Sequence, residues 1–144
     1  MARRNEPPAR TRVIDKMEQG KIDFDVLADI PSVKMKERLE QNIKYIKEYA
    51  AKKGLTAKQT NELIEVEILA MRYGYLDERN ADNLRSGSYE AIRDLNANNR
   101  EMAVLDREYG NRERSLGKVK DEVAAYIEQQ QTQETKKGRK NGAK

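Results

Sequence analysis

The sequence contains no cysteine and no histidine. Without cysteine there is no disulfide framework, and without either residue the commonest zinc and transition-metal ligands are missing. A Ser-His or Cys-His nucleophile is excluded on the same ground. So is the side chain that most often shuttles protons near pH 7. Carboxylates and lysines remain available for chemistry, so the enzyme reading is lowered but not closed. The expectation is a binding protein with no cofactor and no metal. No run of 18 apolar residues occurs, so no membrane span is expected. The N-terminus, with Arg3, Arg4, Pro7 and Pro8, lacks the apolar stretch of a secretory signal, and a cytoplasmic location follows. The eight glycines are scattered. They form neither G-x-x-x-x-G-K-[ST] nor G-x-G-x-x-G, which argues against nucleotide binding.

What is abundant is charge. Charged residues make up 38% of the 144 residues, and hydrophobic ones 37%. A core is affordable but thin, and such chains often complete it by association. The net charge of +4 is unevenly spread. Residues 1–12 carry Arg3, Arg4, Arg10 and Arg12 against Glu6, a balance of +3. Residues 128–144 carry Lys136, Lys137, Arg139, Lys140 and Lys144 against Glu128 and Glu134, again +3. The body between them stands at −2. Basic arms on a near-neutral body point to a polyanion; the competing reading is that such tails only aid solubility.

Periodicity predicts an all-α fold, a helical hairpin or bundle core with disordered basic tails. Residues 1–12 read as a disordered arm and 13–31 as short helical pieces, broken at Gly20 and Pro31. The core and oligomerisation region is 32–127, and 128–144 reads as a disordered tail. Within the core, Ser32 opens a helix to Lys53, with Leu39, Ile43, Ile46 and Ala50 on one face and Gly54 as its exit. Thr56 and Gln59 form a capping box for the next helix. That helix bears two apolar rows: Leu63, Val66, Ala70 and Tyr73, then Ile64, Ile68, Met71 and Tyr75. Two rows need cover on two sides. The cover comes either from another subunit or from placement of this helix at the centre of one domain. Residues 77–88 read as a helix end and turn. A third helix spans about 89–109 with a stop at Gly110, and a last one opens near Ser115 or Gly117.

Two charge patterns bear on function. The first long helix holds Lys34, Lys36, Arg38, Lys44, Lys47, Lys52 and Lys53 against Glu37, Glu40 and Glu48; its lysines point in several directions and favour a solvated face over a DNA-contact surface. The third helix interleaves Glu90, Arg93, Asp94, Arg100, Glu101, Arg107 and Glu108, a mixture that suits pairing with another helix. The acids Glu62, Glu65 and Glu67 favour a solvated strip or salt-bridge row over a metal site.

The stretch Leu55-Thr56-Ala57-Lys58-Gln59-Thr60-Asn61-Glu62-Leu63 resembles the opening of the first core helix of phage terminase small subunits. Tyr89-Glu90-Ala91-Ile92-Arg93-Asp94-Leu95 and Leu105-Asp106-Arg107-Glu108-Tyr109-Gly110 resemble that family's second helix and its terminal pattern. Asn111-Arg112-Glu113-Arg114-Ser115-Leu116 follows in place of the usual Ser/Arg segment. The likeness covers 55–116, and the proline that precedes the family's second core helix has no evident counterpart. The resemblance implies a homo-oligomeric ring that binds double-stranded viral DNA and recruits the large terminase subunit, an ATPase and nuclease. Other readings are a helical structural, adaptor or scaffold protein, or a nucleoid-type DNA-binding factor. The residues expected to contact DNA are Arg3, Arg4, Arg10 and Arg12, then Lys136, Lys137, Arg139 and Lys140, with Lys34, Lys36, Arg38, Lys44 and Lys47 of the first long helix the next candidates. Those expected at the contact between copies are Leu63, Ile64, Val66, Ile68, Met71, Tyr73 and Tyr75.

Overall fold

The computed structural model describes residues 9–142, with side chains described as far as 135. Six helices and no strands occur among the described residues: α1 (Ala9–Glu18), α2 (Phe24–Ala28), α3 (Val33–Lys53), α4 (Ala57–Ser86), α5 (Tyr89–Leu116) and α6 (Lys118–Gly142). The caps stand where the local chemistry requires them. Ser32 accepts from the Met35 amide at 3.4 Å, and Ser88 from that of Ala91 at 3.1 Å. Thr56 and Gln59 close a reciprocal capping box. Gly54 ends α3 in the left-handed region at φ 65°, a conformation that glycine adopts without steric cost.

Helix α4 is the centre of the molecule. Its first half sends Leu63 and Val66 into a cluster with Tyr45, Ile46 and Tyr49 of α3 and Leu116, Val123 and Ile127 from α5 and α6. Its middle sends Ile68, Leu69 and Leu76 into a second cluster with Leu39, Val104 and Leu105, closed by Met17, Leu27 and Ile30. Fully burying such a side chain contributes about 1.5–3 kcal/mol. The two apolar rows thus serve two neighbours in the same chain. This corrects the expected subunit contact: Leu63, Val66 and Ile68 are buried in the chain's own core, and Ile64, Met71 and Tyr75 pack against it. Only Tyr73, 40% exposed, remains outward among the seven.

Four boundaries differ from expectation. Residues 9–12 are the first turn of α1 and not part of an arm. Residues 77–86 continue α4 because Asn80 and Asn83 face α5 and are bonded there. Helix α5 passes through Gly110 and ends at Leu116, with Gly117 as the joint. A glycine inside a helix costs about 1 kcal/mol relative to alanine, and the packed Leu105, Tyr109 and Leu116 around it outweigh that. Residues 129–142 belong to α6, which lies along α3 as far as Glu134.

Candidate nucleic-acid interface

Helices α3 and α6 run antiparallel and are stitched mainly by polar side chains. The Tyr49 hydroxyl donates to Glu122 at 3.1 Å, and Gln131 Nε2 donates to Asn42 Oδ1 at 2.9 Å. Gln41 donates to Glu134 at 3.3 Å, and the Tyr45 hydroxyl donates to the same carboxylate. Burial first, and the carboxylate acceptors second, hold the Tyr45 and Tyr49 phenols above the usual range. Both therefore stay protonated donors. Arg38 and Thr135 line one end of the groove between these helices. The turns of α6 that follow Thr135 carry Lys136, Lys137, Arg139 and Lys140 in sequence. Among the described residues, the fold brings Arg38 of α3 to the groove that Thr135 of α6 also lines.

Other expected contacts are committed elsewhere. Lys36 holds Asp29 at 2.9 Å, and the hydrogen bond and charge of Lys36 lower that carboxyl below its usual range. Lys44 and Lys47 are exposed, but they share a face with Glu40 and Glu48. Arg10 corrects the view of residues 1–12 as a free basic arm. Its guanidinium bonds Asp94 at 2.6 Å, meets Glu101 at 3.5 Å and donates to Asn98, so it anchors α1 to α5. Arg12 lies on the exposed side of α1. Arg3 and Arg4, and the side chains of Lys136, Lys137, Arg139 and Lys140, lie outside what the structure describes. The acids of α4 are also accounted for. Glu65 pairs with Arg112 at 3.3 Å, Glu67 accepts from Asn42 at 2.7 Å, and Glu62 stands 4.0 Å from Lys58. Among the described residues, no cluster of three or more acidic side chains is arranged to hold a metal.

The mixed charge of α5 is sorted by the fold. Arg93, Arg100, Arg107 and Arg114 stand seven residues apart, and the first three are each followed by an acid. Each residue turns the helix by about 100°, so arginine and acid point in different directions. The acids turn inward. Asp94 takes Arg10, Arg79 at 3.0 Å and Asn83 at 2.8 Å. Burial alone would raise its carboxyl, but the Asn83 bond and the charges of Arg10 and Arg79 outweigh that and lower it. Glu101 is only 2% exposed and accepts a two-pronged contact from Arg72 at 2.7 and 3.2 Å. Glu108 pairs with Arg112 at 3.2 Å. Asn98, fully buried, completes this seam by donating to Asn80 at 2.7 Å. Among the described residues, no buried side-chain nitrogen or oxygen lacks a partner.

The four arginines stay exposed along one stripe of α5. The positions between them on that stripe are Asn96, Ala103 and Gly110; the exposed Glu90 precedes Arg93 by one turn, and Asp15 and Glu18 of α1 meet Arg100 in the middle. Reading α5 as an even alternation missed this phase. The signal was present as a strict spacing of seven. Compared with family models, curated proteins and solved structures, the chain matches none.

Proposed function

We propose that this chain is a non-enzymatic DNA-binding protein of the terminase small-subunit kind. It binds double-stranded viral DNA and recruits and regulates a large ATPase–nuclease subunit to start genome packaging. The observation that carries this reading is the antiparallel course of α3 and α6, which puts Arg38 and Thr135 on one groove, with Lys136, Lys137, Arg139 and Lys140 following Thr135 in sequence. Cations gathered at one end of a body neutralise phosphates together and release their counterions. The ordered likeness of 55–116 to that family adds the packaging role. In this reading several copies act together, and repetition of a weak basic site in a homo-oligomer multiplies its avidity.

The test is fluorescence anisotropy with a labelled duplex, together with light scattering of the free protein. The reading expects micromolar or tighter binding at low salt, weakening steeply as salt rises, and a particle heavier than one chain. Absence of duplex binding at 50 mM salt would remove it. A structural or adaptor protein is the second reading. The exposure of Leu84 (67%) and Tyr89 (76%) beside the α4–α5 turn favours it, because exposed apolar side chains close to one another mark protein contacts.

A further inference from the structure

We infer that the arginine stripe of α5 is a contact surface for the phosphate backbones of duplex DNA. This inference rests on the DNA-binding reading above and adds a site to it.

Arg93, Arg107 and Arg114 make their contacts sideways, along the protein. Arg93 lies over the Tyr89 ring at 5.8 Å, Arg107 donates to the Met17 carbonyl at 3.3 Å, and Arg114 donates to Asn111 at 2.6 Å. These contacts hold each guanidinium near the surface, and only Arg107 also touches a carboxylate, Glu108 at 3.4 Å. Arg100 differs: Asp15 and Glu18 of α1 both bind it, at 2.6 Å, and it serves as the fastener of α1. The acids that would cancel the stripe, Asp94, Glu101 and Glu108, are directed to Arg79, Arg72 and Arg112.

Geometry favours a duplex over an acidic helix. Seven residues advance about 10.5 Å, so the row from Arg93 to Arg114 is about 31 Å long. Neighbouring arginines are spaced close to the width of a major groove, about 12 Å, and can reach the backbones on its two sides. The full row matches about one turn of duplex, 34–36 Å. A docked helix wants apolar residues at these seven-residue positions, whereas guanidinium forks match phosphate oxygens. Asn96, Ala103 and Gly110 are small, and the row is bordered between Arg100 and Arg107 by Glu18 of α1, which is held by Arg100.

The test compares the full-length chain with Arg93→Gln/Arg107→Gln/Arg114→Gln in a salt titration of duplex binding. A control, Lys53→Gln/Lys58→Gln/Arg85→Gln, removes the same charge from exposed positions at the end of α3 and the two ends of α4. The stripe variant is expected to lose at least about tenfold in affinity, and its log–log salt slope should flatten by about 2 to 3. The control should lose less than about threefold. The triple Arg→Lys variant, which keeps charge and exposes any folding defect, should retain most of the slope. If the wild type binds duplex and the stripe variant binds as the control does, the inference fails and the DNA-binding reading stands. If the wild type binds no duplex but captures an acidic helical peptide through these arginines, both fail.

Discussion

Helices α3 and α5 have nearly the same kind of sequence, rich in both lysine or arginine and acid, yet they present different surfaces. On α3, Lys44 and Lys47 share the outer face with Glu40 and Glu48. On α5, Asp94, Glu101 and Glu108 lie about 100° from the preceding arginines and are taken up by Arg10, Arg72, Arg79 and Arg112, so Arg93, Arg107 and Arg114 are left facing out. The difference is one of phase and not of amount. A helix shows a partner only what its interior has not neutralised, and the interior of this molecule neutralises selectively on α5.

The strongest test of that contrast is at its hidden side. Glu101 and Arg72 are nearly buried, and breaking a buried pair leaves an uncompensated charge. Glu101→Ala should destabilise the chain by about 3–5 kcal/mol in urea unfolding. The same change at Glu40 of α3, exposed to water, should move stability by less than about 0.5 kcal/mol. Equal effects would mean that the two helices are not different in kind.

Ile68 and Tyr73 sharpen the comparison for α4. Ile68 is buried in the chain's own core, so Ile68→Glu should yield unfolded chain and not a folded monomer. Tyr73→Glu should keep the fold by circular dichroism. If copies associate through the exposed remainder of α4, Tyr73→Glu lowers the particle mass measured by light scattering.

The two seams respond to opposite ends of the pH scale. The Asp94 carboxyl is lowered in the folded chain, so its contribution is present above its unfolded value near 3.8 and lost as pH falls through the folded one. The Tyr45 and Tyr49 phenols are raised, so their contribution is present below their ordinary value of 10.0 and lost as pH rises through the folded one. Acid should therefore loosen the α1–α5 seam first, and alkali the α3–α6 seam. Amide exchange resolved along the chain would separate the two.

Much of the architecture was legible because caps and apolar periods are local signals. Ser32, Gly54, the Thr56–Gln59 box and Ser88 each mark a helix end that the structure keeps. Illegible were the places where the contact between helices is polar. Residues 77–86 look like a turn because Asn80 and Asn83 look like surface, yet both are buried against Asn98, Asn99 and Asp94. The stretch after Ile127 reads as a disordered tail for the same reason: polar side chains do the docking there, Gln131 on Asn42 and Glu134 on Gln41 and Tyr45. Of the candidate interface, the groove shared by Arg38 and Thr135 depends on two antiparallel helices whose bonded residues lie 73 to 93 positions apart, which no local pattern encodes. The arginine stripe was readable as a spacing, but its meaning needed the partners of the intervening acids.

The smallest expected effect belongs to α3. Glu40→Lys/Lys44→Glu exchanges two outward charges on one face and should change duplex affinity by less than about twofold. Its counterpart on α5, Arg107→Glu/Glu108→Arg, also leaves the net charge at +4 but turns the stripe's arginine into an acid. Duplex affinity of these two charge-conserving exchanges, measured side by side at one salt concentration, tests phase against amount most directly. The account predicts a loss of at least about tenfold for the α5 exchange and near silence for the α3 exchange, with both variants folded by circular dichroism. Equal affinities for the two folded variants would contradict it.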